Sequence, residues 1–171
     1  MASEISVKSS TRSSFMAQVL LRILAMAFTL AAISVMVTST QYILIFGIKF
    51  VATYSDSSAM RFLFGANITA CIFSFISLIF VCVVSRSESD LKKYFYLFLH
   101  DMVIMLLLIS GCAAASAVGY VSKYGEEKAN WAPICGIVSK FCNRVMISLV
   151  LSYLGFFSYL ALTIMAAKKF M

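Results

Sequence analysis

The sequence has 171 residues, of which 62% are hydrophobic and 12% charged, with a single proline, and its mean hydropathy is +0.97. Soluble domains are about 45–50% apolar and about 25% charged, so these figures exclude an ordinary water-soluble domain and indicate an integral membrane protein. Fourteen Lys and Arg against seven Asp and Glu give a net charge of +7. Those charges sit in short segments between long apolar runs, which suits membrane lipids as partners and argues against nucleic acid.

A membrane-crossing helix needs about 20 consecutive apolar residues. Residues 1–14, rich in serine, do not qualify and are expected to form a disordered cytosolic N-terminus. Four stretches do qualify, 15–37, 62–84, 96–120 and 145–167. The first has 23 residues, longer than the 7–15 of a signal-peptide apolar region, so it is expected to remain as a span. The expected fold is therefore an all-α membrane protein, a four-transmembrane-helix bundle over 15–167 with a short cytosolic C-terminus at 168–171.

The connections differ in kind. In loop 38–61, two runs rich in β-branched and aromatic residues, 42–46 and 48–54, flank Gly47. That pattern suggests a small β-hairpin, the alternative being a simple continuation of the first helix. Loop 85–95 opens on Ser85, Arg86, Ser87, Glu88, Ser89 and Asp90, a short polar turn with no room for a domain. Loop 121–144 is the second long one. Lys and Arg number seven on the terminal side and six on the other, so the positive-inside rule does not decide orientation. Cysteine placement does better, because the two loop cysteines, Cys135 and Cys142, share one side and disulfides persist in oxidising compartments. Both termini are accordingly expected in the cytosol, with loops 38–61 and 121–144 extracellular.

Full charges inside a span are costly and need a reason. Arg22 and Asp101 are such charges, about 10 Å and about 8 Å along parallel spans at the helical rise, hence in the same layer. A shielded ion pair between the first and third helices is expected. The alternatives are that each side chain snorkels to the near headgroups or serves transport. Small and polar residues align on one stripe per span: Gln18, Arg22, Ala25, Thr29 and Ala32 in the first; Asn67, Ala70, Cys71 and Ser74 in the second; Asp101, Cys112, Ala115, Ser116 and Gly119 in the third; Ser148, Ser152, Gly155 and Thr163 in the fourth. Gly111, Ala115, Gly119 and Gly155 are the expected helix-packing residues, since small side chains let membrane helices approach.

Chemistry-bearing constellations are missing. The lone His100 adjoins Asp101, about 100° around the helix, and is not expected to face it. There is no metal-binding, phosphate-binding or redox motif, so catalytic residues, metal and cofactors are all expected to be none and the chain is not expected to be an enzyme. Cys71 and Cys112 read as buried small residues, and Cys82 as either a packing residue or a palmitoylation site.

The densest cluster lies in loop 121–144, with Trp131, Pro133, Cys135, Phe141, Cys142 and Arg144. On a straight helix seven residues span about 10 Å, beyond the reach of a disulfide, so a Cys135–Cys142 bond requires the segment to fold back. Two reduced thiols, or a bond between subunits, are the alternatives. Trp131 and Phe141 are candidate interaction residues, or simply anchors at headgroup depth.

Four spans, Arg22 in the first, Asp101 in the third and the pattern Trp131, Cys135, Phe141, Cys142 together resemble the CASP-like family, plant MARVEL-related relatives of the Casparian strip membrane domain proteins. The segments Ile45-Phe46-Gly47-Ile48 and Tyr54-Ser55-Asp56-Ser57 are similar to that family's loop sequences. The resemblance implies a plasma-membrane scaffold that forms homo- or hetero-oligomers with related four-span proteins, organises a membrane subdomain and recruits cell-wall-modifying enzymes. It also implies that Arg22 and Asp101 are the family's intramembrane charged pair. Strip-forming members carry an acidic, proline-containing signature in the first outer loop, whereas residues 39–61 hold no proline and one acid, Asp56. The chain thus resembles a member outside the strip-forming group. A small channel or transporter subunit, and an accessory subunit of a membrane complex, are the alternative functions.

Overall fold

The structure, a computed structural model, describes residues 2–45, 48–84 and 91–168. Four long helices, α1 (Ala2–Val37), α2 (Ser58–Val84), α3 (Leu91–Tyr124) and α4 (Ser139–Ala167), form the bundle. Each contains a segment long and apolar enough to cross a membrane, namely 15–37, 58–82, 95–124 and 139–167. Consecutive helices are antiparallel neighbours, and α1 also packs on α4, so the four stand at the corners of a square. One end carries both termini and the α2–α3 connection; the other carries the two longer loops and is called the loop end below.

Every helix extends beyond its expected span, and two boundaries differ most. Helix α1 continues back to Ala2 through the serine-rich segment expected to be disordered. That segment contains neither proline nor glycine, so a helix nucleated in the apolar span can propagate through it. Helix α4 begins at Ser139, not at residue 145, because its first turn, though polar, is tied to the preceding loop. The serine-rich turn at 85–90 and the hairpin tip at Gly47 lie outside the described residues.

Helix α1 ends where two hydroxyl residues compete for backbone carbonyls: Thr38 donates to Ser34 O at 2.9 Å and Ser39 to Met36 O at 2.5 Å. The β-branched and aromatic run that follows forms the expected hairpin. Strands β1 (Gln41–Ile45) and β2 (Ile48–Ala52) pair antiparallel, with Tyr42 opposite Val51. Asp56, the sole acid of this loop, accepts from the Thr53 N–H at 2.8 Å and fixes the turn that leads into α2.

Two apolar clusters fill the bundle. Near the terminal end Ala25, Ala66, Ala70, Ile104, Leu108, Tyr159 and Leu162 pack together. Nearer the loop end the cluster is Met36, Met60, Leu63, Cys112, Ala115, Val145 and Leu149. The outward faces are equally apolar, with Leu20, Ile76, Leu106 and Phe157 all exposed. A helix hydrophobic on every side is what a lipid surround requires.

Candidate functional site

Membrane helices gain little from apolar contact with each other, because lipid tails are as apolar as leucine; close packing and hydrogen bonds across the interface hold them instead. The predicted stripe of α1 is the interior face: Gln18, Arg22, Ala25, Thr29 and Ala32 are all buried. Asn67, Ala70 and Ser74 of α2, and Ser148, Ser152 and Gly155 of α4, face the same interior. Thr163 and Cys71 are only half-buried, and the deeper position on α4 falls instead to Tyr159.

Arg22 and Asp101 meet as a closed pair. Arg22 Nη2 donates to Asp101 Oδ2 at 2.7 Å and Nη1 to Oδ1 at 3.0 Å, a bidentate geometry that matches guanidinium to carboxylate. Each side chain is 1% exposed, so neither snorkels to the surface. Nη1 also donates to the Ser77 hydroxyl of α2, while Nε has no partner among the described residues. The expectation that His100 turns away from Asp101 is overturned. Its Nδ1 lies 3.3 Å from Asp101 Oδ1, because the carboxylate, held toward α1, leaves an oxygen edge that the neighbouring imidazole reaches. The ring packs at 5.2 Å on Phe73, so His100 fills the α2–α3 side of the cluster.

Further polar contacts cross the other diagonal. Asn67 Nδ2 donates to Ser152 Oγ at 2.9 Å. Tyr159 donates to Ala70 O at 2.9 Å and lies 2.5 Å from Ser74 Oγ. Between adjacent helices, Ser148 of α4 donates to Ala32 O of α1 at 2.8 Å, and Ser116 of α3 pairs with Tyr153 of α4 at 3.0 Å.

The expected packing residues divide. A Cβ on Gly111 would lie 3.4 Å from Leu63 Cα, and one on Gly155 3.2 Å from Thr29 Cγ2, so both mark close helix contacts. Ala115 is wholly buried. Gly119 is different, because a Cβ there would find only Met146 Sδ, at 4.0 Å. Its missing side chain opens space instead of admitting a neighbouring helix.

At the loop end, residues 125–138 fold back on the end of α3. Gly125 takes φ 76°, and an added Cβ would lie 2.6 Å from Trp131 O, a position only glycine tolerates. Glu126 and Trp131 exchange backbone hydrogen bonds of 3.0 and 3.1 Å, and Ser122 O accepts from Ile134 N and Cys135 N at 2.9 and 3.0 Å. This fold-back brings Cys135 and Cys142 to a Cα separation of 5.7 Å and joins them in a disulfide. Two ties then fasten α4 to the start of the hairpin: the Phe141 N–H donates to Gln41 Oε1 at 2.9 Å, and Arg144 Nη1 donates to Thr38 O. The two loop aromatics part company. Trp131 is 66% exposed, whereas Phe141 packs half-buried against the cluster at the loop end.

Sequence reasoning missed Ser77, Tyr159 and Gln41, and it placed Arg144 in the loop cluster without its contact to Thr38 O. Ser77 lies three residues beyond Ser74 on the same helical face, so the stripe pattern contained it. The role of Tyr159 was masked by its aromatic body, and the Gln41 and Arg144 contacts are long-range ties with no local signature.

The sequence matches the family model of the Casparian strip membrane protein domain over residues 11–158. It is 57% identical to CASP-like protein 1F2 of Ricinus communis over 156 residues, covering 91% of this chain and 78% of that protein. It is 52% identical to CASP-like protein 1F3 of Populus trichocarpa over 162 residues, or 95% and 84% of the two chains. Against CASP-like protein 1F1 of Arabidopsis thaliana it is 39% identical over 151 residues, 88% and 87% of the two chains. No solved structure matches. With four apolar helices of spanning length, a buried Arg–Asp pair in their midst and a family model covering most of its length, the chain is a multi-pass membrane protein of the Casparian strip membrane protein domain family.

Proposed function

We propose that the chain is an oligomerising plasma-membrane scaffold: it associates laterally with copies of itself or with related four-span proteins, organises a membrane subdomain and recruits cell-wall-modifying partners. Both termini lie in the cytosol in this reading, with the hairpin and the disulfide loop outside the cell. It carries out no reaction of its own.

The observation that supports this reading best is the closure of the polar interior. The guanidinium and carboxylate face each other and are 1% exposed, and the remaining buried Ser, Asn and Tyr groups bind one another or backbone carbonyls. A transport path needs polar groups that face water or a moving ion, and these face the bundle. What is left for partners is the apolar outer surface within the membrane and a loop end with an exposed Trp131 and a hairpin whose Tyr42 is 75% exposed.

Co-purification of two differently tagged copies from one membrane, paired with ion flux in liposomes holding the purified protein, tests the reading. Stable association without flux is expected. Flux that Asp101→Asn abolishes would move the assignment to a channel or transporter subunit, and a chain that never self-associates would move it to an accessory role.

A further inference from the structure

At the loop end, between the end of α3, the start of α4 and the first turns of α2, lies a cavity of about 240 Å³. Its existence follows from Gly119, where the absent side chain leaves open space beside Met146. The Cys135–Cys142 disulfide forms part of its wall. Met60, Val145 and Met146 make it mainly apolar, while Ser122, Lys123 and Asn143 give it a polar side. Among the described residues, Lys123 is the one charged side chain lining it, and no carboxylate does.

The depth of this cavity is fixed by its neighbours. Tyr120 and Tyr124, which flank Ser122 and Lys123 on α3, project outward with their rings 4.9 Å apart, and Trp131, in the loop that follows α3, is exposed as well. Aromatics of this kind concentrate at headgroup depth. Lys123 itself lies 5.4 Å over the Tyr124 ring, which holds its ammonium at that level. Met146 is seven residues below the start of α4, or about 10 Å toward the membrane centre at the helical rise. The polar side of the cavity therefore meets headgroups and its apolar side meets the upper acyl carbons.

We propose that this cavity binds one anionic phospholipid from the leaflet at the loop end, with the headgroup phosphate at Lys123 and the glycerol and first acyl carbons against Met60 and Met146. The volume is about eight times a water molecule's share of the liquid, enough for a headgroup with its glycerol while the chains stay in the bilayer. An amphiphile fits a wall that is apolar on one side and polar on the other. With Lys123 as the charged side chain of its wall and no carboxylate there among the described residues, the cavity selects a negative headgroup over a zwitterionic one. The proposal requires that the chain spans a membrane and that the leaflet at the loop end supplies an anionic phospholipid; it does not rest on the scaffold reading.

Native mass spectrometry of the full-length protein in detergent, offered equal amounts of phosphatidylglycerol and phosphatidylcholine, provides the test. One phosphatidylglycerol per chain is expected to be retained at least tenfold over phosphatidylcholine. Lys123→Gln should remove that preference, and Gly119→Leu should reduce total retention about tenfold while leaving the lipid-free melting temperature unchanged. Equal retention of both lipids by the unaltered protein, or no response to either variant, would overturn the proposal. So would protection from melting by inorganic phosphate equal to that by phosphatidylglycerol, which would indicate a site for free phosphate. A change in oligomer size caused by Gly119→Leu at unchanged lipid retention would assign the cavity to a second copy of the chain and overturn it as well. If Gly119→Leu does not fold, Lys123→Gln decides the question alone.

Discussion

Arg22 and Asp101 sit on helices at opposite corners of the bundle, and the guanidinium crosses the interior to meet the carboxylate through two hydrogen bonds of 2.7 and 3.0 Å. The other diagonal, α2 to α4, is joined by Asn67 with Ser152 and by Ser74 with Tyr159. Adjacent helices pack through small residues and a few polar ties such as Ser148 to Ala32 O, while opposite helices are linked by side chains long or polar enough to cross. Sliding of one helix past another would break an ion pair or strand a buried polar group, so the register of all four is specified.

Removing one member of the ion pair leaves the other charge uncompensated. Arg22→Gln or Asp101→Asn is expected to cost about 3–5 kcal/mol, read as a lower melting temperature or loss of folded protein in detergent. The double exchange, Arg22→Asp with Asp101→Arg, should be more stable than either single exchange. Equal loss in the double exchange would remove direct pairing as the source of the effect.

The neutral diagonal is worth less. Tyr159→Phe removes the hydroxyl that meets Ser74 and Ala70 O, and an interhelical hydrogen bond in a membrane protein averages about 0.6 kcal/mol with a maximum of about 1.7. A loss in that range is expected from the same melting assay. A loss matching that of Asp101→Asn would mean the two diagonals bear comparable weight, contrary to this ranking.

The three glycines of the expected packing set should separate on substitution. Gly111→Leu and Gly155→Leu force side chains against Leu63 and Thr29 and should destabilise by at least about 1–3 kcal/mol, the usual range for overpacking. Gly119→Leu enters open space and should change stability by less than about 0.5 kcal/mol.

At the loop end, reducing the Cys135–Cys142 bond opens a short closed loop worth about 2–3 kcal/mol in the chain-entropy model. A reductant should therefore lower the melting temperature of the unaltered protein and leave that of Cys135→Ser with Cys142→Ser unmoved. Trp131→Ala should be neutral to within about 0.5 kcal/mol because the side chain is exposed, while Phe141→Ala should cost about 1–3 kcal/mol for the packing it loses.

The four spans, the hairpin and the charged pair could all be read from the sequence because each rests on a strong local signal. Long apolar runs have one stable state in lipid, a β-branched run around a glycine favours a hairpin, and a charge at depth requires a partner. The extent of α1 back to Ala2 was not readable, since composition reports how weakly a segment is held by burial and not whether a neighbouring helix extends through it. The His100 contact escaped helical-wheel reasoning because a wheel fixes Cβ directions, whereas the imidazole and carboxylate reach each other beyond Cβ. The Gln41 and Arg144 ties link residues about a hundred positions apart, a relationship visible only after folding.

Fluorescence recovery after photobleaching of the tagged protein in the plasma membrane of plant cells tests the scaffold reading most directly. Slow, incomplete recovery is expected, because laterally associated chains diffuse as a large body. Rapid and complete recovery, at the rate of a lone four-span protein, would contradict it.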